Sequence, residues 1–253
     1  YSLVNDSAMS MKKDVGYVWL CAAAGLASAL FLAGCGPAAK DKTPQGPDDG
    51  QALMTASHST AAAAPQATRT GPSVLFIGTS LTAGYGLQPD QAYPTLVQEK
   101  ADSAGTPINA INAGVSGETS AGALNRISWV LRAPADIVVI ETGANDALRA
   151  LPVSEARKNI SAILDSVKSA KPHAKLFLIQ MEAPPNLGAT YTTAFHRMYG
   201  ELAREKGATL IPFLLSGVAG ISGLNQADGV HPNVRGERIV ASNVWSSLKG
   251  ALD

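Results

Sequence analysis

The sequence predicts a single α/β domain in which helices cover both faces of one five-stranded parallel sheet. Three observations lead to this prediction. Short apolar runs alternate with longer amphipathic stretches from Ser73 onward. Each apolar run ends in a turn rich in glycine or polar residues, as expected for a buried parallel strand. Such alternation builds a parallel sheet through right-handed crossovers.

Five segments have the apolar composition and turn boundaries of strands. The first run, Val-Leu-Phe-Ile-Gly, leads directly into Thr79 and Ser80. Because the carboxyl ends of parallel strands share one edge of a sheet, the residues that follow the five runs should lie close together. We predict these strands over residues 74–78, 108–112, 136–141, 175–181 and 209–212.

Amphipathic stretches between these runs predict the helices. Residues 153–170 place their apolar side chains on one face, which is typical of a helix packed on a sheet. Gly207 supplies a C-terminal cap for the helix that precedes it. We predict the remaining helices near residues 91–104, 121–133, 191–206 and 239–248.

The N-terminal region has the pattern of an export signal. Met11 is followed by two lysines and an apolar run over residues 15–32, which closes with Leu-Ala-Gly-Cys35. This ending resembles a bacterial lipobox. The resemblance implies an exported bacterial lipoprotein in the periplasm, held to a membrane by lipidated Cys35; Gly36 favours the outer membrane. The alternatives are a cleaved signal with a chance cysteine, or an apolar run that is itself the anchor.

These features divide the chain into four parts. We expect residues 1–10 to lie upstream of the start, residues 11–34 to be the signal peptide and residues 73–253 to be the folded domain. Residues 35–72 carry proline, alanine, threonine and glycine without an apolar period. Such a composition buries no core and predicts a flexible linker after the lipidated cysteine.

Composition narrows the range of partners and catalytic groups that the domain can use. The chain of 253 residues has a formal net charge of zero, so we expect no nucleic-acid partner. Its two cysteines both precede the domain. This excludes from the domain an internal disulfide, a thiolate metal site and a cysteine nucleophile. Oxygen and imidazole chemistry remain.

Residues with that chemistry follow the predicted strands. Ser80 follows the first strand, whereas Asp228 and His231 follow the fifth. A serine hydroxyl becomes a strong nucleophile when a base takes its proton. His231 can be that base, and Asp228, three residues earlier, can orient the far imidazole nitrogen.

Attack on an ester carbonyl also requires donors aimed at the oxyanion that forms. The backbone N–H groups of Ser80 and Gly114 and the side-chain amide of Asn145 are candidates, since each follows a strand. Taken singly, Gly114 fits a tight turn, Asn145 a helix cap, and His231 a surface loop. Their shared position at one edge favours the catalytic interpretation.

Four blocks of the sequence resemble the SGNH, or GDSL, hydrolases. These are Gly-Thr-Ser-Leu at residue 78, the glycine after the second strand, Gly-Ala-Asn-Asp at residue 143 and Asp-Gly-Val-His at residue 228. The flanking residues are similar to the arylesterase, thioesterase I and lysophospholipase L1 branch. The resemblance covers essentially all of residues 73–253.

This resemblance implies a flavodoxin-like, three-layer α/β/α sandwich with no metal or organic cofactor. It implies a serine esterase for short- to medium-chain aryl or alkyl esters, with thioesters or lysophospholipids as further substrates. By position it assigns Ser80, His231 and Asp228 to the triad, and Ser80, Gly114 and Asn145 to the oxyanion site. Oligomeric state is not implied.

The chain departs from the family at two positions. Thr79 stands where the family usually has aspartate, which removes a charge beside the nucleophile and affects rate and pH dependence more than reaction type. Ala144 stands where the branch often has glycine.

Two rival interpretations remain open at this stage. A flavodoxin-like electron carrier would use Thr79 to Gly84 as a phosphate loop, but this leaves Asn145 and the Asp228–His231 pair unexplained. A lipid-anchored binding domain without activity would explain Thr79 alone. An α/β-hydrolase is excluded, because the sequence contains no Gly-x-Ser-x-Gly turn.

Overall fold

The computed structural model describes residues 70–252, which form a doubly wound α/β domain. The predicted signal peptide, Cys35 and most of the predicted linker lie outside the described residues. The five predicted strands are present: β1 (Ser73–Gly78), β2 (Asn109–Gly114), β3 (Ile137–Ile140), β4 (Lys175–Ile179) and β5 (Thr209–Ile211).

All strand pairs are parallel, and the strand order is β2-β1-β3-β4-β5. This is the flavodoxin-like order, so the implied three-layer sandwich is confirmed. The chain passes from β1 to β2 on one side of it and then crosses back to β3 on its other side. The topological switch point therefore lies beside the carboxyl end of β1, where such folds place their sites.

The helices lie on both faces of the sheet, where α2 packs against α7, and α5 packs against both α3 and α6. The predicted helix over residues 153–170 is confirmed without a shift. Four short 3₁₀ turns complete the described part. The helices are α1 (Ser80–Ala83), α2 (Tyr93–Ser103), α3 (Ser120–Val130), α4 (Ala144–Leu148), α5 (Val153–Ala170), α6 (Ala189–Lys206) and α7 (Val234–Leu248).

The central strands form the core, since residues 74–77 of β1 and all of β3 are buried. Strand β2 begins one residue and ends two residues later than predicted, because its pairing with β1 continues to the Gly78–Gly114 step. Strands β3 and β4 end before Glu141 and Gln180, whose side chains make polar contacts while their N–H groups still bond to the neighbouring strands. Within residues 70–252, no helix has the length and apolarity that crossing a bilayer requires.

Candidate active site

The turn after β1 presents Ser80 at the carboxyl edge of the sheet. Thr79 has an extended backbone, Ser80 begins the four-residue helix α1, and Gly84 ends it with φ +70°. Gly78 cannot carry a side chain here, because a Cβ would lie 1.9 Å from Thr82 Oγ1. The Ser80 N–H lies in the first turn of α1, where a helix provides no backbone acceptor.

Glu141 fixes this turn from below. Its carboxyl group is fully buried and accepts the Thr79 N–H at 2.8 Å. The hydroxyl groups of Thr79 and Thr82 also bond to it, at 3.0 and 2.9 Å. Burial raises the pKa of Glu141, and these hydrogen bonds oppose that rise. The two residues that flank Ser80 and Leu81 are thus tied to one carboxyl group, which directly follows the neighbouring strand β3.

A second buried carboxyl group lies behind the first. The Tyr93 hydroxyl is 2.9 Å from Thr82 Oγ1, and the Tyr93 N–H donates to Glu237 at 2.8 Å. Burial raises the pKa of Glu237 to about 8. A chain of polar contacts therefore runs from the turn through Tyr93 to α7.

Ser80, His231 and Asp228 meet as predicted, although they come from opposite ends of the domain. His231 Nε2 lies 2.9 Å from Ser80 Oγ, and His231 Nδ1 lies 2.6 Å from Asp228 Oδ2. One ring nitrogen therefore faces the hydroxyl and the other faces the carboxylate. This geometry suits a base oriented by an acid partner.

Asp228 is held as a carboxylate by donors of its own loop. Asp228 Oδ1 accepts the N–H groups of Val230 and His231 at 2.9 and 3.0 Å. The backbone hydrogen bond from His231, followed by the one from its ring, lowers the pKa of Asp228 to about 2. The group is therefore ionised wherever a neutral imidazole can act as a base.

The loop that carries His231 is tied to the turn that carries Ser80. Gln226 Nε2 donates to the Tyr85 carbonyl at 2.7 Å, and the Gln226 N–H donates to the His231 carbonyl at 2.7 Å. The rings of Tyr85 and His231 lie 4.7 Å apart. Tyr85 lies in the stretch after Ser80 that resembles the family but has no predicted role, and Gln226 belongs to no recognisable motif.

Asn145 lies in the first turn of α4 and lines the cavity beside Ser80 and His231. Its Nδ2 donates to the Glu118 carbonyl at 3.0 Å. A primary amide has two N–H groups, so one remains for a ligand. The neighbouring Asp146 is buried and bonds to the N–H and hydroxyl of Ser120; it therefore joins α4 to α3.

Gly114 differs from its prediction. Its N–H donates to Asn112 Oδ1 at 2.9 Å, so the donor expected for an oxyanion is already in use. A Cβ at this position would lie 2.3 Å from the Ala83 nitrogen. The structure therefore supports a packing role for this glycine, which lets β2 lie against α1, and it does not support the predicted oxyanion role.

Gly117 was missed in the sequence and is the better candidate. It lies in the loop after β2 with φ +75°, and its N–H donates no hydrogen bond within residues 70–252. The next residue, Glu118, accepts the hydrogen bond from Asn145, so the loop lies against the site. The second glycine of Gly-Val-Ser-Gly-Glu-Thr was the signal that could have revealed it.

A cavity of about 480 Å³ opens beside Ser80. Two loops form its rim, with Met181 to Pro185 on one side and Phe213, Leu215, Ala219 and Gly220 on the other. Leu214, between two of these residues, belongs to the core, where it is fully buried. The size lies within the range of small-molecule sites.

The other histidines of the domain lie apart from Ser80. His173 is exposed, and His196 Nδ1 lies 2.7 Å from Glu182 Oε1 on the surface. Residues 70–252 contain no group of three or more His, Cys, Asp or Glu side chains placed to hold a metal ion.

Comparison with known proteins finds relatives of one kind, the esterases and acylhydrolases. A family model described as the GDSL-like lipase/acylhydrolase family matches residues 76–239. The chain is 37% identical over 182 residues to Esterase TesA of Pseudomonas aeruginosa, which is 71% of this chain and 89% of that protein. It is 34% identical over 178 residues to the thioesterase 1/protease 1/lysophospholipase L1 of Escherichia coli, which is 70% of this chain and 83% of that protein.

A solved structure with the same fold is the psychrotrophic esterase EstA from a Pseudoalteromonas species, inhibited by monoethylphosphonate. The TM-score is 0.67 at 35% sequence identity, and the match covers 72% of this chain and 98% of that chain.

Proposed function

Because this chain belongs to the GDSL-like lipase/acylhydrolase family and is a carboxylic ester hydrolase, we propose that it forms an acyl-enzyme on Ser80. The single observation that carries this proposal is the pair of contacts made by His231. Its two ring nitrogens lie 2.9 Å from Ser80 Oγ and 2.6 Å from Asp228 Oδ2. The serine can thus lose its proton at the moment of attack.

In the acylation step, His231 Nε2 takes the hydroxyl proton while Ser80 Oγ bonds to the carbonyl carbon. The imidazolium is stabilised by Asp228, which stays anionic. His231 then returns the proton to the leaving alkoxide as the ester bond breaks. In deacylation, water loses a proton to His231 and attacks the acyl carbon, and the proton returns to Ser80 when the acid leaves.

Three N–H groups can stabilise the oxyanion of each tetrahedral intermediate. They belong to the backbone of Ser80, the side-chain amide of Asn145 and the backbone of Gly117. We propose Gly117 in place of Gly114, because the Gly114 N–H is bonded to Asn112 whereas that of Gly117 is available. Such donors act strongly because they are in place before charge develops.

The cavity indicates the acyl substrates. Its walls include Leu148, Met181, Phe213 and Leu215, so we propose short- to medium-chain acyl esters. Two features leave thioesters and lysophospholipids as further candidates. The Escherichia coli relative carries both activities in its name, and the mechanism above requires only a leaving group that His231 can protonate.

The two rival interpretations have less support. A flavodoxin-like carrier would have no use for the His231–Asp228 pair or for Asn145. Thr79, the residue that favoured an inactive binding domain, bonds to Glu141, and its hydroxyl takes no part in the hydrogen bonds that join Ser80, His231 and Asp228. Its departure from the family pattern therefore leaves the catalytic contacts intact.

We test the nucleophile with p-nitrophenyl esters of increasing acyl length. Ser80→Ala should abolish turnover while leaving thermal unfolding little changed. Ser154→Ala, an exposed serine on α5, should keep wild-type activity and serves as the matched control. Wild-type-like turnover in Ser80→Ala would refute the proposal. The rank order of chain lengths, measured on esters, thioesters and lysophospholipids, identifies the preferred class.

We further propose that the protein is an exported bacterial lipoprotein, with Cys35 as the lipid-attachment residue and the outer membrane as its location. The support is the Leu-Ala-Gly-Cys ending of the apolar run. Cys35→Ser should release the protein into the soluble periplasmic or medium fraction. Unchanged partition with membranes would show that the apolar run is itself the anchor.

A further inference from the structure

Exposed apolar side chains are concentrated at one edge of the domain. Seven large apolar residues within residues 70–252 are more than a third exposed, and Trp129 is one of them. The other six lie on loops or helix ends that follow strands at the carboxyl edge. We call these six the apolar collar: Tyr85, Val115, Leu148, Leu151, Ile221 and Val230.

Four residues of the collar lie at or beside the mouth of the catalytic cavity. Leu148 and Val230 line the cavity and are still 56% and 46% exposed. Tyr85 packs its ring against His231. Ile221 follows Gly220, another lining residue. A ligand that enters the cavity therefore passes the collar.

The requirements of folding do not explain this arrangement. Single exposed apolar residues are normal on a soluble protein, but a concentration of them at a pocket marks a binding surface. Trp129 is an exposed apolar residue away from the pocket. It lies near the C-terminal end of α3, a helix that runs from the carboxyl edge of the sheet toward the opposite edge.

Charge is also distributed unequally between the two edges. The loops that carry the collar contain no lysine, and their exposed arginine, Arg149, donates to the Gly117 carbonyl at 2.9 Å. Lysines instead surround a depression at the amino edge: Lys168, Lys171, Lys175 and Lys206. A surface that bound anionic lipid by charge would need its cations at the collar.

We propose that the apolar collar docks on a zwitterionic phospholipid surface, from which single-chain acyl esters pass directly into the cavity. This rests on the proposed esterase function, since the acyl chain is what links the cavity to the surface. A protein partner fits less well, because a partner seated on the collar would close the mouth. Docking through apolar contacts is insensitive to salt.

The test compares aggregated and soluble substrates in a Cys35→Ser background, so that no acyl anchor contributes. The variant Val115→Ser/Ile221→Ser removes two collar residues that do not line the cavity. We expect its rate on lysophosphatidylcholine above the critical micelle concentration to fall by about tenfold, given the apolar area lost. Its rate on p-nitrophenyl butyrate should stay within about twofold of the parent.

Trp129→Ser is the matched control and should keep both rates. Equal loss on both substrates in the collar variant, or no loss on either, would overturn the proposal, as would an equal loss in Trp129→Ser. Binding is measured separately by sedimentation of Ser80→Ala protein with phosphatidylcholine vesicles. There the same collar substitutions should reduce the bound fraction at low and high salt alike, whether or not Ser80 is the nucleophile.

Discussion

Replacing Thr79 with valine tests the contact between the nucleophile turn and the buried carboxyl group beneath it. Thr79 Oγ1 lies 3.0 and 3.1 Å from the two oxygens of Glu141, and both residues are buried. Valine has nearly the same shape, so Thr79→Val removes the hydroxyl and opens little space. Glu141 then keeps the Thr79 N–H, the Thr82 hydroxyl and the Thr82 backbone N–H as donors.

The magnitude follows from the charge state of the carboxyl group. A buried hydrogen bond contributes about 1 kcal/mol between neutral groups and about 1.5–3 kcal/mol to a charged group. We therefore expect the free energy of unfolding to fall by about 1–3 kcal/mol. For a domain of this size, each kcal/mol lowers Tm by about 2–4 °C.

Thermal and urea unfolding, followed by circular dichroism, measure this loss. The control is Thr193→Val on α6, an exposed threonine, for which we expect a change within about 0.5 kcal/mol. A Thr79→Val protein as stable as the wild type would refute the reasoning that Glu141 fixes the turn through this hydroxyl.

Three further predictions concern the same region. Thr79→Asp places a second carboxyl group against Glu141, so the pair binds a proton more tightly when folded, and stability should be lost as pH rises; unfolding from pH 5 to 8 should show a steeper decline than in the wild type. Glu237 has a pKa raised to about 8, so its contribution to stability is full below about pH 4 and is lost as pH rises through 8. Glu237→Gln should remove this decline of the free energy of unfolding with pH. An unchanged decline would contradict the assignment of the raised pKa to Glu237. Asn145→Ala should lower kcat by about 10²–10³-fold with KM little changed; steady-state kinetics on p-nitrophenyl butyrate measures it, and an unchanged kcat would exclude Asn145 from the oxyanion site.

Apolar runs and their turns were sufficient to predict the strands and the shared edge. The run before Ser80 is buried throughout, as expected for the centre of a sheet. Strand order was not predictable from these runs, because hydrophobicity reports burial and not which strand lies alongside. The same limit explains the shift of β2, whose last residues are set by pairing with β1.

The triad was predictable because its members lie in short motifs at strand ends. The oxyanion glycine was not assigned correctly, since two glycines follow β2 and both fit a turn. The hydrogen bond from the Gly114 N–H to Asn112 and the close packing of Gly114 on Ala83 distinguish them. A side-chain acceptor two residues away in the chain gives no signal in the apolar pattern.

The role of Glu141 also required coordinates. In the sequence it extends an apolar run and was placed within the third strand. Whether an acidic residue at a strand end faces solvent or the interior depends on what lies opposite. Here the donors opposite are Thr79 and Thr82, 59 or more residues away in the chain.

Covalent labelling tests the central claim most directly. A p-nitrophenyl alkylphosphonate should react once per chain and release one equivalent of p-nitrophenol, and peptide mass spectrometry should place the phosphonyl group on Ser80. His231→Ala should react far more slowly, because no base then removes the hydroxyl proton. Stoichiometric labelling of Ser80→Ala at the wild-type rate would contradict an acyl-transfer mechanism through this serine.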